Sequence, residues 1–422
     1  LDSKTHSTAL AQTTSSVVLV LLLLAPAVCA QEAIRPSLAG EASAEARRQS
    51  IEQIPYNLLV GPIRFRFSVT TGIEYNDNIN LAETDPQSDI IIRPQFNINA
   101  IWPVTQLNTL RLDLGLGYGF YLNHPEANTN SVLISPGSQL AFDIFVQDFR
   151  INIHDRFLLQ QDPVTQIQLS NVLDYGRFEN AAGVSVLWDL NKAVLTFGYD
   201  HFTYISTTSA FSYLDRNAEE FTFSAYFALT STTGAGLETN FVYNYYSQTV
   251  LNNSINYSVG PFVETQLTNY LKLRAAVGYQ AMNFDGGGSI DDTSDGSSPY
   301  GYILIAHRIN PAISQTIAAG RELQLGVNSN FVTLNYVRHT ATWNIINSVL
   351  LATEAFYETG DDSGDGVNSE NIQRFGGAVT VGYQLTPHVT LGLRYQYTQK
   401  QSDLPGRDYK QNRVSLDGTY SF

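Results

Sequence analysis

From Phe65 to Phe422, apolar side chains recur at every second position in short runs separated by polar breaks. A period of two gives an extended strand one oily and one wet face, whereas a helix needs a period near 3.6. In the first run Phe65, Phe67, Val69, Ile73 and Tyr75 oppose Arg64, Arg66, Ser68, Thr70 and Glu74. In the second, Ile92, Phe96, Ile98, Ala100 and Trp102 oppose Arg93, Gln95, Asn97 and Asn99. In the third, Leu110, Leu112, Leu114, Leu116, Tyr118 and Phe120 oppose Arg111, Asp113, Gly115, Gly117 and Gly119. The chain closes on the same pattern, with Val414, Leu416, Tyr420 and Phe422 opposite Arg413, Ser415, Asp417, Thr419 and Ser421.

Further segments recur near 132–145, 149–160, 179–188, 193–202, 219–229, 234–245, 255–266, 271–282 and 300–309, and again near 372–385, 389–399 and 409–422. Between 311 and 358 the alternation blurs, with room for three strands. The total is about eighteen, or sixteen if part of that region forms loops or a plug. Short connections (103–108, 147–148, 189–192, 230–233, 268–269) alternate with long polar ones (76–89, 123–131, 161–177, 203–217, 247–253, 283–298). A transmembrane antiparallel β-barrel produces this alternation, with short periplasmic turns and long extracellular loops. A β-sandwich has no reason for it, and a solenoid would need a fixed repeat, which is absent. The expected fold is therefore all-β, an antiparallel barrel of about 16–18 strands. Trp102, Trp188 and Trp343 fall near short-turn ends, and Tyr75, Tyr118, Tyr199, Tyr243, Tyr279, Tyr395 and Tyr397 near loop ends. That placement predicts two interfacial girdles.

Composition agrees. Charged residues make up 15% and aromatic residues 12% of the chain. Ordinary soluble domains are about 25% charged. A net charge of -15 argues against a nucleic-acid partner, which requires a basic footprint.

The N-terminus supplies an export route. Lys4 lies in a polar opening, Val17 to Ala25 is unbroken apolar sequence, and Val28-Cys29-Ala30 offers small residues before Gln31. This is the layout of a signal peptide over 1–30, cleaved after Ala30, and the run is too short for a transmembrane helix. The chain opens on Leu1 rather than Met, as expected of an unusual start codon or an incomplete end. Cys29 is the one cysteine, so cleavage leaves no disulfide, thiolate metal site or cysteine nucleophile. Residues 31–62 read as a polar periplasmic tail and 63–422 as the barrel. No cofactor is expected.

The final amphipathic strand, ending on Phe422 with Tyr420 just upstream, resembles the C-terminal signal read by the barrel-assembly machinery of Gram-negative bacteria. The chain also resembles the β-barrel porin 2 family of bacterial outer-membrane proteins, some linked to exopolysaccharide export. The residues that suggest this are Gly72-Ile73-Glu74-Tyr75-Asn76-Asp77-Asn78-Ile79, His307-Arg308-Ile309 and Gly320-Arg321-Glu322, and the general likeness spans about 60–422. The resemblance implies an outer-membrane barrel that conducts solutes, and it supplies no catalytic residues.

The candidate pore lining is the set of charges on the wet faces: Arg64, Arg66, Arg93, Arg111, Arg150, Arg156, Lys272, Arg274 and Arg394, with Glu74, Asp113, Asp143, Asp200, Glu220, Glu238 and Glu264. Facing rows of cations and carboxylates would select solutes at a constriction. The alternative is that they pair across the lumen and hold the wall together.

Two acidic loops, Asp291 to Gly296 and Asp361 to Gly366, begin like calcium loops. The position needing a bidentate acid holds Tyr302 or Ile372, so solvated acidic loops are expected. Enzyme chemistry would rest on His154-Asp155 or His307-Arg308, and no nucleophile elbow accompanies either. The leading expectation is a porin-like channel for passive diffusion of small polar solutes or saccharides, without catalysis. The alternative is an export-assembly barrel with no free pore. Expected partners are outer-membrane lipid and lipopolysaccharide, the barrel-assembly machinery, and further copies of the chain in a homo-oligomer.

Overall fold

The computed structural model of the chain describes residues 56–422, apart from 106, 130 and 365–368. The expected signal peptide and most of the expected tail lie outside the described residues.

Eighteen strands form the barrel. They are β1 Ile63–Asn76, β2 Asp89–Pro103, β3 Thr109–Gly117 (resuming at Phe120–Tyr121), β4 Leu133–Val146, β5 Phe149–Gln160 and β6 Arg177–Asp189. β7 Ala193–Ser206, β8 Arg216–Ala228, β9 Thr233–Tyr246, β10 Ser254–Thr268, β11 Leu271–Phe284 and β12 Gly296–Asn310 follow. β13 Ile313–Leu325, β14 Phe331–Ile346, β15 Val349–Asp362, β16 Asn371–Gln384, β17 Val389–Ser402 and β18 Tyr409–Ser421 complete the ring. A short lead-in segment, Leu58–Val60, folds back on the start of β1.

Each strand pairs antiparallel with the next, and β18 pairs antiparallel with β1, from Ser68 opposite Ser421 to Asn76 opposite Arg413. The sheet is therefore closed, without edge strands. Lipid cannot satisfy unpaired backbone groups, so closure is what permits strands to cross a membrane.

The blurred region contains three strands, β13 to β15. Its pattern is weak because register places Gln315, Arg321, His339 and Thr353 on the outward side of the wall. The oily face there is diluted, while hydrogen bonding to well-patterned neighbours still holds the strands.

The outward face carries the large apolar side chains of the alternating runs. Ile73 and Val277 are 51% and 61% exposed, and Phe197, Phe221 and Phe241 are similarly bare. A soluble protein would cover so extensive an apolar surface. Trp102, Trp188 and Trp343 are exposed near the short-turn ends, and Tyr75, Tyr199, Tyr243, Tyr279 and Tyr395 towards the loop ends. These are the expected girdles. Tyr118 falls where β3 is interrupted and is half-buried, as is Tyr397.

At the seam, the Thr70 and Thr419 hydroxyls meet at 2.9 Å and Arg413 pairs with Glu74 at 2.9 Å, both on the lumen side. The Phe422 amide donates to the Phe67 carbonyl at 3.3 Å.

Directly opposed antiparallel residues lie within disulfide reach. A Thr70→Cys/Thr419→Cys double variant is expected to crosslink on oxidation. After heating in SDS it should migrate as a circularised chain, differently from its reduced form and from either single variant. A folded barrel that never crosslinks would contradict the seam.

Candidate functional site

The lumen is the candidate site, and the loop 161–176 dominates it. This loop leaves β5 and returns to β6, but its middle docks on β14 to β18, which lie five or more places from β5 around the ring. Arg374 of β16 donates to the Val164 carbonyl at 2.6 Å. Lys400 of β17 donates to the Gln168 carbonyl at 3.1 Å and to the Ser170 hydroxyl at 3.0 Å. Arg413 of β18 donates to the Asp162 carboxylate at 2.7 Å. Gln168 donates to Asp362 of β15 at 2.7 Å and accepts from the Val327 amide at 3.0 Å. The loop is therefore folded across the lumen and bonded to the far wall.

The cations that hold it are themselves held by acids. Glu358 bridges Arg338 at 2.9 Å and Arg374 at 2.6 Å. Glu370 bridges Lys400 at 2.9 Å and Arg407 at 2.8 Å. Glu74 bridges Arg93 at 3.2 Å and Arg413 at 2.9 Å. Buried charges need such partners, and losing one leaves the other stranded.

The near end of the loop is gripped by Arg177, which donates to Thr165 at 2.9 Å and pairs with Glu179 at 2.8 Å. Leu169 and Tyr175 then join Ala181, Phe202, Tyr204, Leu214, Ala218, Val242, Leu251 and Val327 in an apolar core inside the barrel. The Tyr204 hydroxyl donates to that of Tyr175 at 2.7 Å, and the Arg216 guanidinium lies over the Tyr204 ring at 4.8 Å. The loop-end half of this side of the lumen is thus packed.

Towards the short-turn ends the wall is polar. One chain of contacts runs from Arg111 to Asp143 at 3.0 Å, from Asn152 to Asp143 at 2.8 Å, and from His154 to Asn152 at 2.8 Å. It ends at Asp200, 2.6 Å from the other His154 ring nitrogen. Gly183 makes room for that last contact, since a Cβ there would overlap the Tyr199 carbonyl and the Asp200 carboxylate.

The proposed lining divides accordingly. Arg93, Arg111, Arg274 and Arg394 are paired with carboxylates; Arg274 meets Glu238 at 2.7 Å, and Arg394 meets Glu354 at 2.8 Å. Asp113 accepts from Asn99 at 2.8 Å and Gln139 at 3.1 Å. Arg150 lies over Phe145 and Arg64 over Tyr56. Arg66, Arg156 and Lys272 are on inward positions and form no ion pair among the described residues.

Two other expectations resolve differently. His154 and Asp155 do not converge: His154 faces the lumen with both nitrogens bonded, while Asp155 lies on the outward face beside Asn180. The acidic loop Asp291 to Gly296 is not simply solvated. Asp292 is buried and accepts from Ser363 at 2.6 Å, the Asn330 amide at 2.8 Å and the Ser294 amide at 2.9 Å. Asp365 and Gly366 of the second acidic loop lie outside the described residues.

Arg177, Glu179, Arg216, Arg338, Glu358, Arg374, Lys400 and Glu370 were not in the sequence-derived set. Each Arg or Lys in this group has inward phase, which was a usable signal; Glu179 lies two residues from Arg177 on the same face, whereas the acids that hold Arg338, Arg374 and Lys400 come from other segments and were not visible.

No protein-family model matches the sequence, including that of the family it resembles, and no curated protein matches it. Solved structures do. OpdQ of Pseudomonas aeruginosa is similar at 11% identity and a TM-score of 0.49, covering 86% of this chain and 100% of that one. A BenF-like porin from Pseudomonas fluorescens Pf-5 gives 11% identity, a TM-score of 0.49 and the same coverages. OccK1 (OpdK) of Pseudomonas aeruginosa gives 13%, 0.48, and coverage of 85% and 99%. Likeness at this level assigns neither a family nor a solute.

Burial alone would raise the Asp162 carboxyl, but the Arg413 and Arg93 guanidinium groups hold it below its ordinary value. Its contribution to docking is therefore present above the unfolded value of 3.8 and is lost as pH falls through the lower folded value. Through Asp162, protease nicking within 161–176 is expected to increase as pH falls below about 4. Asp162→Asn should be nicked faster at neutral pH. Glu358→Gln weakens its pairing with two buried cations, and urea unfolding is expected to show a loss approaching about 3–5 kcal/mol.

Proposed function

We propose that this chain is an outer-membrane channel of the porin kind, related to the β-barrel porin 2 family, that passes small polar solutes or saccharides by passive diffusion. The single observation that carries this reading is the 161–176 loop, folded into a polar-lined ring and tied to its far wall by Arg374, Lys400 and Arg413. Such a loop narrows a lumen, and a barrel of this strand number is wide enough to need narrowing. Below it, Arg66, Arg156, Lys272 and Asp113 offer charge of both signs to a passing solute, the arrangement by which a pore sorts by charge and size.

A second reading has its own support. The apolar core around Phe202 and Val242 fills part of the lumen at the loop end, which favours a barrel that serves an export assembly without a standing pore. Planar-bilayer conductance separates the two. The channel reading expects conductance from the purified barrel, raised severalfold by deleting 164–172. A silent parent with a conducting deletion supports the second reading, and silence from both overturns the first.

Outer-membrane placement follows from export by the 1–30 segment and recognition of Tyr420 and Phe422 by the barrel-assembly machinery. Outer-membrane lipid and lipopolysaccharide would then surround the barrel wall, and homo-oligomers would form side by side. Deleting Phe422 is expected to lower the amount of assembled barrel in the outer membrane, read as heat-modifiable protein, while leaving the conductance of assembled molecules unchanged. Normal assembly would remove the sorting role.

A further inference from the structure

The outward face of β6 to β9 is apolar and indented. A groove of about 420 Å³ runs across it, lined by Val184, Val186, Phe197, Phe221, Phe223 and Phe241. That volume lies within the range of small-molecule pockets, roughly 300–1,000 Å³. The groove faces away from the lumen, so in a membrane it meets lipid tails.

A polar cluster sits at its loop-ward end. Tyr199 lines the groove and donates its hydroxyl to Glu219 at 2.8 Å. Glu219 also pairs with the His201 ring at 3.0 Å and accepts from the Tyr245 hydroxyl at 3.4 Å. An ionised carboxylate has about four acceptor positions, so one is left for a further donor. The Tyr243 and Tyr245 rings stack beside it, 5.6 Å apart. Glu219 and His201 retain 29% and 39% of their side-chain surface, so a ligand can reach them.

Charge identifies the ligand. No lysine or arginine occupies an outward position on β5 to β11. The loops 161–176, 207–215 and 285–295 above these strands carry aspartates, and neither they nor the loop 247–253 carries a lysine or arginine. A site for a bare phosphate would need the opposite sign. Carboxylate and tyrosine faces together suit an ammonium group, by charge-assisted hydrogen bonding and by cation–π attraction. A second copy of this chain fits poorly, because an isologous contact would set one acidic rim against the other.

We propose that β6 to β9 seat one lipid molecule, an acyl chain in the Phe197–Phe221 groove and a primary ammonium headgroup on Glu219. The site rests on the barrel lying in a membrane and is independent of whether the lumen conducts.

Native mass spectrometry of the full-length barrel in detergent, with phosphatidylethanolamine or phosphatidylcholine of identical acyl chains added, tests it. One phosphatidylethanolamine is expected per barrel, retained at least about tenfold better than phosphatidylcholine, the discrimination of one charge-assisted hydrogen bond. Glu219→Gln should remove the preference, and Thr239→Trp, which fills the groove, should remove retention of both lipids while heat-modifiability shows the barrel intact. Equal retention of the two lipids overturns the headgroup assignment. Full retention by Thr239→Trp, or a dimer in place of bound lipid, overturns the seat.

Discussion

Everything else in this molecule depends on the pairing of its last strand with its first. Between Ser68–Asn76 and Arg413–Ser421 the backbone satisfies itself, and a sheet with two open edges becomes a ring. In water an open edge is a hazard for aggregation; in lipid its unpaired groups cost several kcal/mol each. Closure then defines an inside and an outside, and every side chain acquires a role from the side its phase selects.

That rule holds along most of each strand and inverts near the loop ends of β6 to β9. On β7, Phe197 and Tyr199 face out, but Phe202 and Tyr204 face in and His201 and Thr203 face out. No bulge intervenes; pairing with β8 runs unbroken from Ala193–Phe227 to Tyr204–Arg216. The surroundings have changed instead. Outside, the apolar face gives way to a polar rim, where Glu219 bonds to both His201 and Tyr199. Inside, loops have replaced water, and an apolar core replaces a wet lining. The polar rim and the internal core are two faces of one transition. The same transition makes the 161–176 loop stable, because it has both an apolar seat near β6 to β9 and cationic anchors on β16 to β18.

Strand positions outside 311–358, their even number, the alternation of turns and loops and the closing partner of β18 were legible in the residues, since period and punctuation are local properties. The ion pairs were half legible. Arg111, Arg274 and Arg394 declared an inward phase, yet Asp143, Glu238 and Glu354 became their partners only through register between strands. Asp292 misled: an acidic, Gly-rich, Ser-rich loop reads as solvated, and neighbouring loops that arrive from β13–β14 and β15–β16 bury it. The apolar residues of the 161–176 loop, Val164, Ile167 and Leu169, were a signal that it does not simply extend into water.

The sequence by itself determined that this chain forms amphipathic antiparallel strands able to close in a membrane, because a two-residue period and the lengths of connections are written along the chain. Tertiary structure alone decided which loop turns inward, which inward charges are consumed in pairing, and where an acidic rim meets an apolar groove. Those outcomes depend on strands far apart in sequence arriving at the same height on one wall, and that height is set by register and closure.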